Sequence, residues 1–196
     1  ATKVAPALAA GNTVVVKASE QAPAALFKFA ELVDECGFPP GVINVITGFA
    51  DPCGKTLTKH PKVARIAFTG GTDVAKHIVR NSAENFAHVS LELGGKSPMI
   101  IFEDCNIDGA VNGIIAGNFG ASGQSCVAGS RVFIQRSIHS QIINLLKERA
   151  KNIVVGDPLD SKTQVGPLAT LHQVERASKV IKNSVKQGAN LVFGGK

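Results

Sequence analysis

A thiol and a carboxylate, 34 positions apart, are the side chains of this sequence best placed to do chemistry: Cys126 and Glu92. A thiol can attack a carbonyl carbon at neutral pH without a strong base, because a few per cent of it is already thiolate and that fraction rises near positive dipoles. Cys126 sits among small residues, Gly120, Ala121, Ser122, Gly123 and Ser125. These leave the sulfur reachable and let backbone N–H groups turn toward a developing oxyanion. Attack on an aldehyde gives a thiohemiacetal, which expels hydride only beside an acceptor such as a nicotinamide ring. The thioester left behind then needs an activated water. Glu92, between the apolar Leu91 and Leu93 and ahead of Gly94-Gly95, is the candidate base for that water. Uncharged neighbours predict partial burial and a pKa raised toward the working range.

The plainer reading of a lone cysteine is a small buried apolar residue, and it is the expectation for Cys36, Cys53 and Cys105. No glycine-rich turn surrounds Cys36 or Cys105. Spacings of 17, 52 and 21 positions among the four cysteines make neither a CxxC pair nor a disulfide framework, which fits a reducing compartment, cytoplasmic or an organelle matrix.

The elements that must position the pair alternate. Residues 13–17 read as a buried strand, 23–35 as an amphipathic helix ended by Gly37 and Pro39-Pro40, and 42–47 as a strand. Residues 51–59 follow as a helix, 63–69 as a strand, 72–84 as a helix and 88–93 as a strand. This order predicts an α/β fold with a parallel sheet and helices on both faces, ligands binding at the carboxyl ends of its strands. After Gly95 a second α/β part begins: a strand at 97–102, a helix at 107–117 leading to the Cys126 loop, a strand at 131–135 and a helix at 140–152. A helix at 170–186 and an apolar strand at 190–193 close the chain. The boundary falls near Gly94-Gly95, dividing residues 1–94 from 95–196.

Several segments together resemble the aldehyde dehydrogenase superfamily. Leu91 to Pro98 has the form around that family's glutamate base, and Phe119 to Ser130 the form around its cysteine nucleophile. Asn12 to Glu20 looks like the segment that holds the cofactor's adenine ribose, so the resemblance gives that role to Lys17 and Glu20, with Ser19 between them. A carboxylate at Glu20 accepts from both ribose hydroxyls and repels a 2′-phosphate, which favours NAD, with NADP possible. Without the resemblance, Ser19 and Glu20 read as a helix N-cap and first turn. Phe68 to Thr72 resembles the turn against which the family's cofactor lies. That implies cofactor contacts from Gly70, Gly71, Thr72 and Val74, with Gly48 and Leu93 at neighbouring strand ends. Many relatives have Ser where this chain has Gly71. The resemblance implies oxidation of an aldehyde to an acid through Cys126 and Glu92, a small-molecule aldehyde substrate, and a homodimer or homotetramer. It also implies that this is a central segment of a family chain more than twice as long. A non-catalytic scaffold that kept the fold is the alternative.

Composition excludes other classes. The net charge of +6 comes from scattered Lys and Arg with no Trp or Tyr to stack on bases, which argues against nucleic acid. The longest apolar runs fall far short of the roughly 18 residues that would cross a membrane. Gly48 to Thr56 nearly spells a phosphate-binding loop but has one residue too many and Pro52 inside it. The five His residues lack metal-ligand spacing, so no catalytic metal is expected.

Overall fold

The computed structural model describes residues 2–195. It divides into two compact units, Ala1–Leu93 and Gly94–Lys196. The first contains α1 (Val4–Ala9), β1 (Val14–Lys17), α2 (Ala24–Glu35), β2 (Ile43–Ile46), a π-helical turn (Ala50–Gly54) continuing into α3 (Lys55–Lys59), β3 (Arg65–Gly70), α4 (Thr72–Ser82) and β4 (His88–Leu93). The second contains β5 (Pro98–Ile101), α5 (Ile107–Phe119), a tight turn (Gly120–Gly123), β6 (Arg131–Ile134), α6 (His139–Lys151) and α7 (Leu171–Lys186).

All strand pairing among the described residues is parallel, as an α/β chain of alternating strands and helices requires. The strands pair two by two, β1 with β2, β3 with β4 and β5 with β6, rather than joining four in one ladder. Residues 190–193 form no strand. Leu191, Val192 and Phe193 are between 43% and 50% exposed, and among the described residues they have no neighbouring ladder to join. The phosphate-loop look-alike folds as the π-helical turn, where the Lys55 ammonium binds the Asp51 carboxylate at 3.1 Å.

In the first unit α4 buries Ala75, Ile78 and Ser82, one face at helical spacing. Ile78 meets Ile66 of β3 and Ala87 in a small core flanked by Phe68 and Val89. Asn81 donates to the Thr58 hydroxyl at 2.9 Å, joining α4 to α3. The core of the second unit is Val111 and Ile114 of α5 against Ile142 of α6, with Met99, Ile101, Val132 and Ile134 packing from β5 and β6. α5 starts where the Asn106 side chain accepts from the Gly109 N–H at 2.7 Å. α7 starts with a capping box: Thr170 Oγ1 accepts from the Gln173 N–H, and the Gln173 side chain accepts from the Thr170 N–H. Of the cysteines expected inside, Cys53 and Cys105 are half-buried and Cys36 is exposed, because Cys36 falls just past the end of α2, beyond its apolar stripe.

Candidate active site

At the carboxyl end of β1, Ala18 is fully buried and its N–H reaches the Ile46 carbonyl of β2 at 2.7 Å. This fixes where Lys17 and the residues after it emerge. The Lys17 ammonium donates to the Ala18 carbonyl at 3.0 Å and to Glu20 Oε2 at 3.2 Å. Its stem runs beside Gly54, where an added Cβ would lie 3.8 Å from Lys17 Cδ. The backbone N–H of Glu20 and then the Lys17 ammonium hold the Glu20 carboxyl below the usual carboxylate range. Ser19 and Glu20 do not start the helix. Ser19 Oγ accepts from the Gln21 N–H at 3.2 Å in a turn, and α2 begins only at Ala24, after Pro23. Ser19 makes a turn four residues ahead of Pro23, and the helix takes its start from the proline, whose φ of −84° is already close to helical. On the adjoining strand end, a Cβ on Gly48 would stand 2.7 Å from Cys53 Cβ, so only glycine fits there.

β3 and β4 end together, with Thr69 opposite Glu92 and Gly70 opposite Leu93. A Cβ on Gly70 would come 2.5 Å from the Phe68 ring. Gly71 is the extended residue before α4, and an added Cβ there meets nothing within 4 Å. The N–H groups of the first turn, Thr72, Asp73 and Val74, have no carbonyl a turn earlier and form an electropositive helix end beneath this open surface. Val74 is 45% exposed.

Glu92 is not buried. Its side chain is 57% exposed, and Oε1 accepts from the Lys3 ammonium at 3.1 Å. Successive strand residues face opposite ways, so Leu91 and Leu93 flank Glu92 in sequence but lie on the other face of β4 and give it no cover.

In the second unit, α5 ends at Phe119 and the chain turns back through Ala121 (φ 51°), Ser122 (φ 53°) and Gly123 (φ 74°). Only the third is a glycine, so two side chains are held in the left-handed region at a cost. Cys126 follows, exposed. Asn118, at the end of α5, donates to the Ile114 carbonyl at 2.9 Å and to the Gly129 carbonyl at 3.2 Å, clasping the far side of the loop. The start of β5 lies alongside: a Cβ on Gly95 would be 3.3 Å from the Cys126 carbonyl, and Arg131 Nε donates to the Lys96 carbonyl at 2.7 Å. The Cys126 N–H donates to no carbonyl among the described residues. An exposed sulfur on a tight, small-residue turn, with its own N–H free, is equipped for attack on a carbonyl.

The sequence matches the aldehyde dehydrogenase family over residues 1–196. The chain belongs to that family. It is 60% identical over 195 residues to (Z)-2-((N-methylformamido)methylene)-5-hydroxybutyrolactone dehydrogenase of Acinetobacter baylyi, covering all of this chain and 40% of that protein. The solved structure of PnpE in complex with nicotinamide adenine dinucleotide matches 99% of this chain and 40% of its own, with 43% identity and a TM-score of 0.97. That of betaine aldehyde dehydrogenase from Staphylococcus aureus in complex with NAD+ matches 99% and 39%, with 38% identity and a TM-score of 0.96. The chain thus spans about two fifths of the length of the relatives it matches. Its α/β architecture of helices and parallel strands is that of aldehyde dehydrogenases of known structure.

The first unit holds Lys17, Ser19, Glu20, Gly48, Gly70, Gly71, Thr72, Val74, Leu93 and Glu92, and the second holds Cys126. Three features were not read from the sequence: the left-handed pair Ala121-Ser122, the Asn118 clasp and the Lys3 partner of Glu92. The first two carry no sequence signal, since neither alanine nor asparagine marks such a position. No helix among the described residues is long and apolar enough to cross a membrane, and no group of three or more His, Cys, Asp or Glu could hold a metal ion there.

Proposed function

We propose that this chain carries the nucleophile, the general base and much of the cofactor surface of an NAD-dependent aldehyde dehydrogenase. The observation that carries the reading is the exposed Cys126 on its left-handed small-residue turn, in a chain that belongs to this family. Cys126 Sγ attacks the aldehyde carbon, and the Cys126 N–H is available to the oxyanion that develops. Bound NAD would supply the acceptor for the hydride that leaves the thiohemiacetal carbon. Glu92 then takes a proton from water as its oxygen attacks the thioester carbon, the C–S bond breaks, and the acid departs from a regenerated thiolate. The Lys3 pairing is no obstacle, because exposed ion pairs of this kind are weak and release their partners readily.

The residues fit the cofactor. Glu20 offers carboxylate oxygens to ribose hydroxyls, Lys17 a donor beside it, and the bare Gly71 leaves the N-terminal end of α4 open to a diphosphate. Gly48, Gly70 and Leu93 shape the strand ends around them, with Ser19, Thr72 and Val74 on the adjoining turns. NAD is favoured because the Glu20 carboxylate would repel a 2′-phosphate; both solved relatives above hold NAD. The substrate is a small-molecule aldehyde, the assembly a homodimer or homotetramer, and the compartment the cytoplasm, where four free thiols stay reduced.

The test follows NADH absorbance with aldehyde and NAD. Cys126→Ser should abolish the signal, and Glu92→Gln should give one NADH per site and then stall as the thioester. Steady turnover by either variant would refute its assigned role.

A further inference from the structure

The turn before Cys126 is held from the start of α7 by two side-chain amides. Gln124 Nε2 donates to the Ala121 carbonyl at 3.3 Å, at the head of the left-handed turn. Gln124 Oε1 accepts from Gln173 Nε2 at 3.2 Å. The oxygen of the Gln173 amide is already used, accepting from the Thr170 N–H at 3.1 Å in the capping box. A relay therefore runs from the Thr170 backbone through Gln173 and Gln124 to the Ala121 carbonyl. A second contact comes from the same stretch of chain: a Cβ on Gly166 would lie 3.7 Å from Ser122 Oγ, so the segment leading into α7 rests against the turn.

The choice of residue is informative. A capping box needs only a side-chain acceptor at its third position, and glutamate serves there as well as glutamine. Gln173 has in addition a nitrogen, and that nitrogen goes to Gln124. Non-glycine residues persist in the left-handed region only where their surroundings hold them; here the Gln124 backbone N–H donates to the Ala121 carbonyl at 3.1 Å, and the further contacts of Ala121 and Ser122 run through the Gln124 side chain to Gln173 and to Gly166.

We propose that Gln173 is a positioning residue for the nucleophile loop, acting through Gln124 to keep Ala121 and Ser122 in their left-handed turn and so to present Cys126. The proposal rests on the reading of Cys126 as the nucleophile.

Gln173→Glu separates this role from helix capping, because it keeps the acceptor for Thr170 and removes the donor to Gln124. Amide hydrogen exchange across residues 121–126 should accelerate about threefold to tenfold, the worth of one net hydrogen bond, while exchange in residues 174–186 stays within about twofold. The iodoacetamide alkylation rate of Cys126, resolved by peptide mass spectrometry, should change by a similar factor while that of the exposed Cys36 does not. Adding Gln124→Lys, whose ammonium can donate both to the Ala121 carbonyl and to the new carboxylate, should restore both readouts. Unchanged loop exchange in Gln173→Glu, or a change that Gln124→Lys leaves in place, overturns the relay. Alkylation of Cys126 no faster than that of Cys36 in the unsubstituted protein overturns instead the nucleophile reading beneath it.

Discussion

Gly129, two residues before β6, should tolerate no side chain. It is buried, and a Cβ built on it would stand 2.2 Å from Met99 Cγ and 2.5 Å from Met99 Sδ, far inside any real contact. Met99 has little room to retreat. Its sulfur takes the Asn118 amide at 4.0 Å, and it packs on the core of Val111, Ile114 and Ile142. Gly129→Ala therefore forces Met99 into a poorer rotamer or parts β6 from α5. Overpacking of this kind costs about 1–3 kcal/mol. With a melting shift of about 2–4 °C per kcal/mol for a chain of this length, a mid-range cost of about 2 kcal/mol lowers Tm by about 4–8 °C. Thermal melts followed by circular dichroism measure it. Met99→Ala removes the obstructing thioether at its own cost, and on that background Gly129→Ala should cost about 1 kcal/mol less than it does alone. A Tm unaltered by Gly129→Ala, or an equal drop in both backgrounds, would refute the argument that Met99 is what the glycine accommodates.

Gly71→Ser should raise stability by a few tenths of a kcal/mol, since the site is open and a serine hydroxyl can cap α4; a lowered Tm would contradict the empty space found there. The depressed pKa of Glu20 makes its contribution to stability present above the ordinary value of 4.5 and lost as pH falls through the lower folded value. In Lys17→Met the Glu20 carboxyl should titrate closer to 4.5 without reaching it, because its backbone N–H remains, and NMR of the carboxyl carbon reads this directly. A titration unmoved by the substitution would show that the ammonium does not act on that carboxylate.

Local pattern carried most of the element map. The apolar run Val14-Val15-Val16, the one-sided apolar spacing of α4 and the glycine and proline stops each report on forces acting within a few residues, and each element formed where those forces place it. Residues 190–193 show the limit. Their apolar run has strand character, but a strand exists only with a partner, and none stands beside it among the described residues. Glu92 shows another: apolar neighbours in sequence are not apolar surroundings, because strand alternation sends them to the opposite face. Its contact with Lys3 spans 89 positions and leaves no local trace. The Thr170-x-x-Gln173 spacing, by contrast, is a legible helix start, and only the second partner of Gln173 needed coordinates. At the candidate site the motifs marked Cys126 and Glu92, while the conformation of the turn between Phe119 and Cys126 was beyond their reach.

The relay between Gln124 and Gln173 also has a consequence in time. Its two ends are 49 positions apart, so on a ribosome adding about 5–20 residues per second Gln173 follows Gln124 by about 2–10 s. Through that interval the Gln124 side chain lacks its Gln173 partner. The loop that carries Cys126 gains its full set of contacts only when the start of α7 arrives, so a ribosome stalled between these two points presents Cys126 on an unfinished loop.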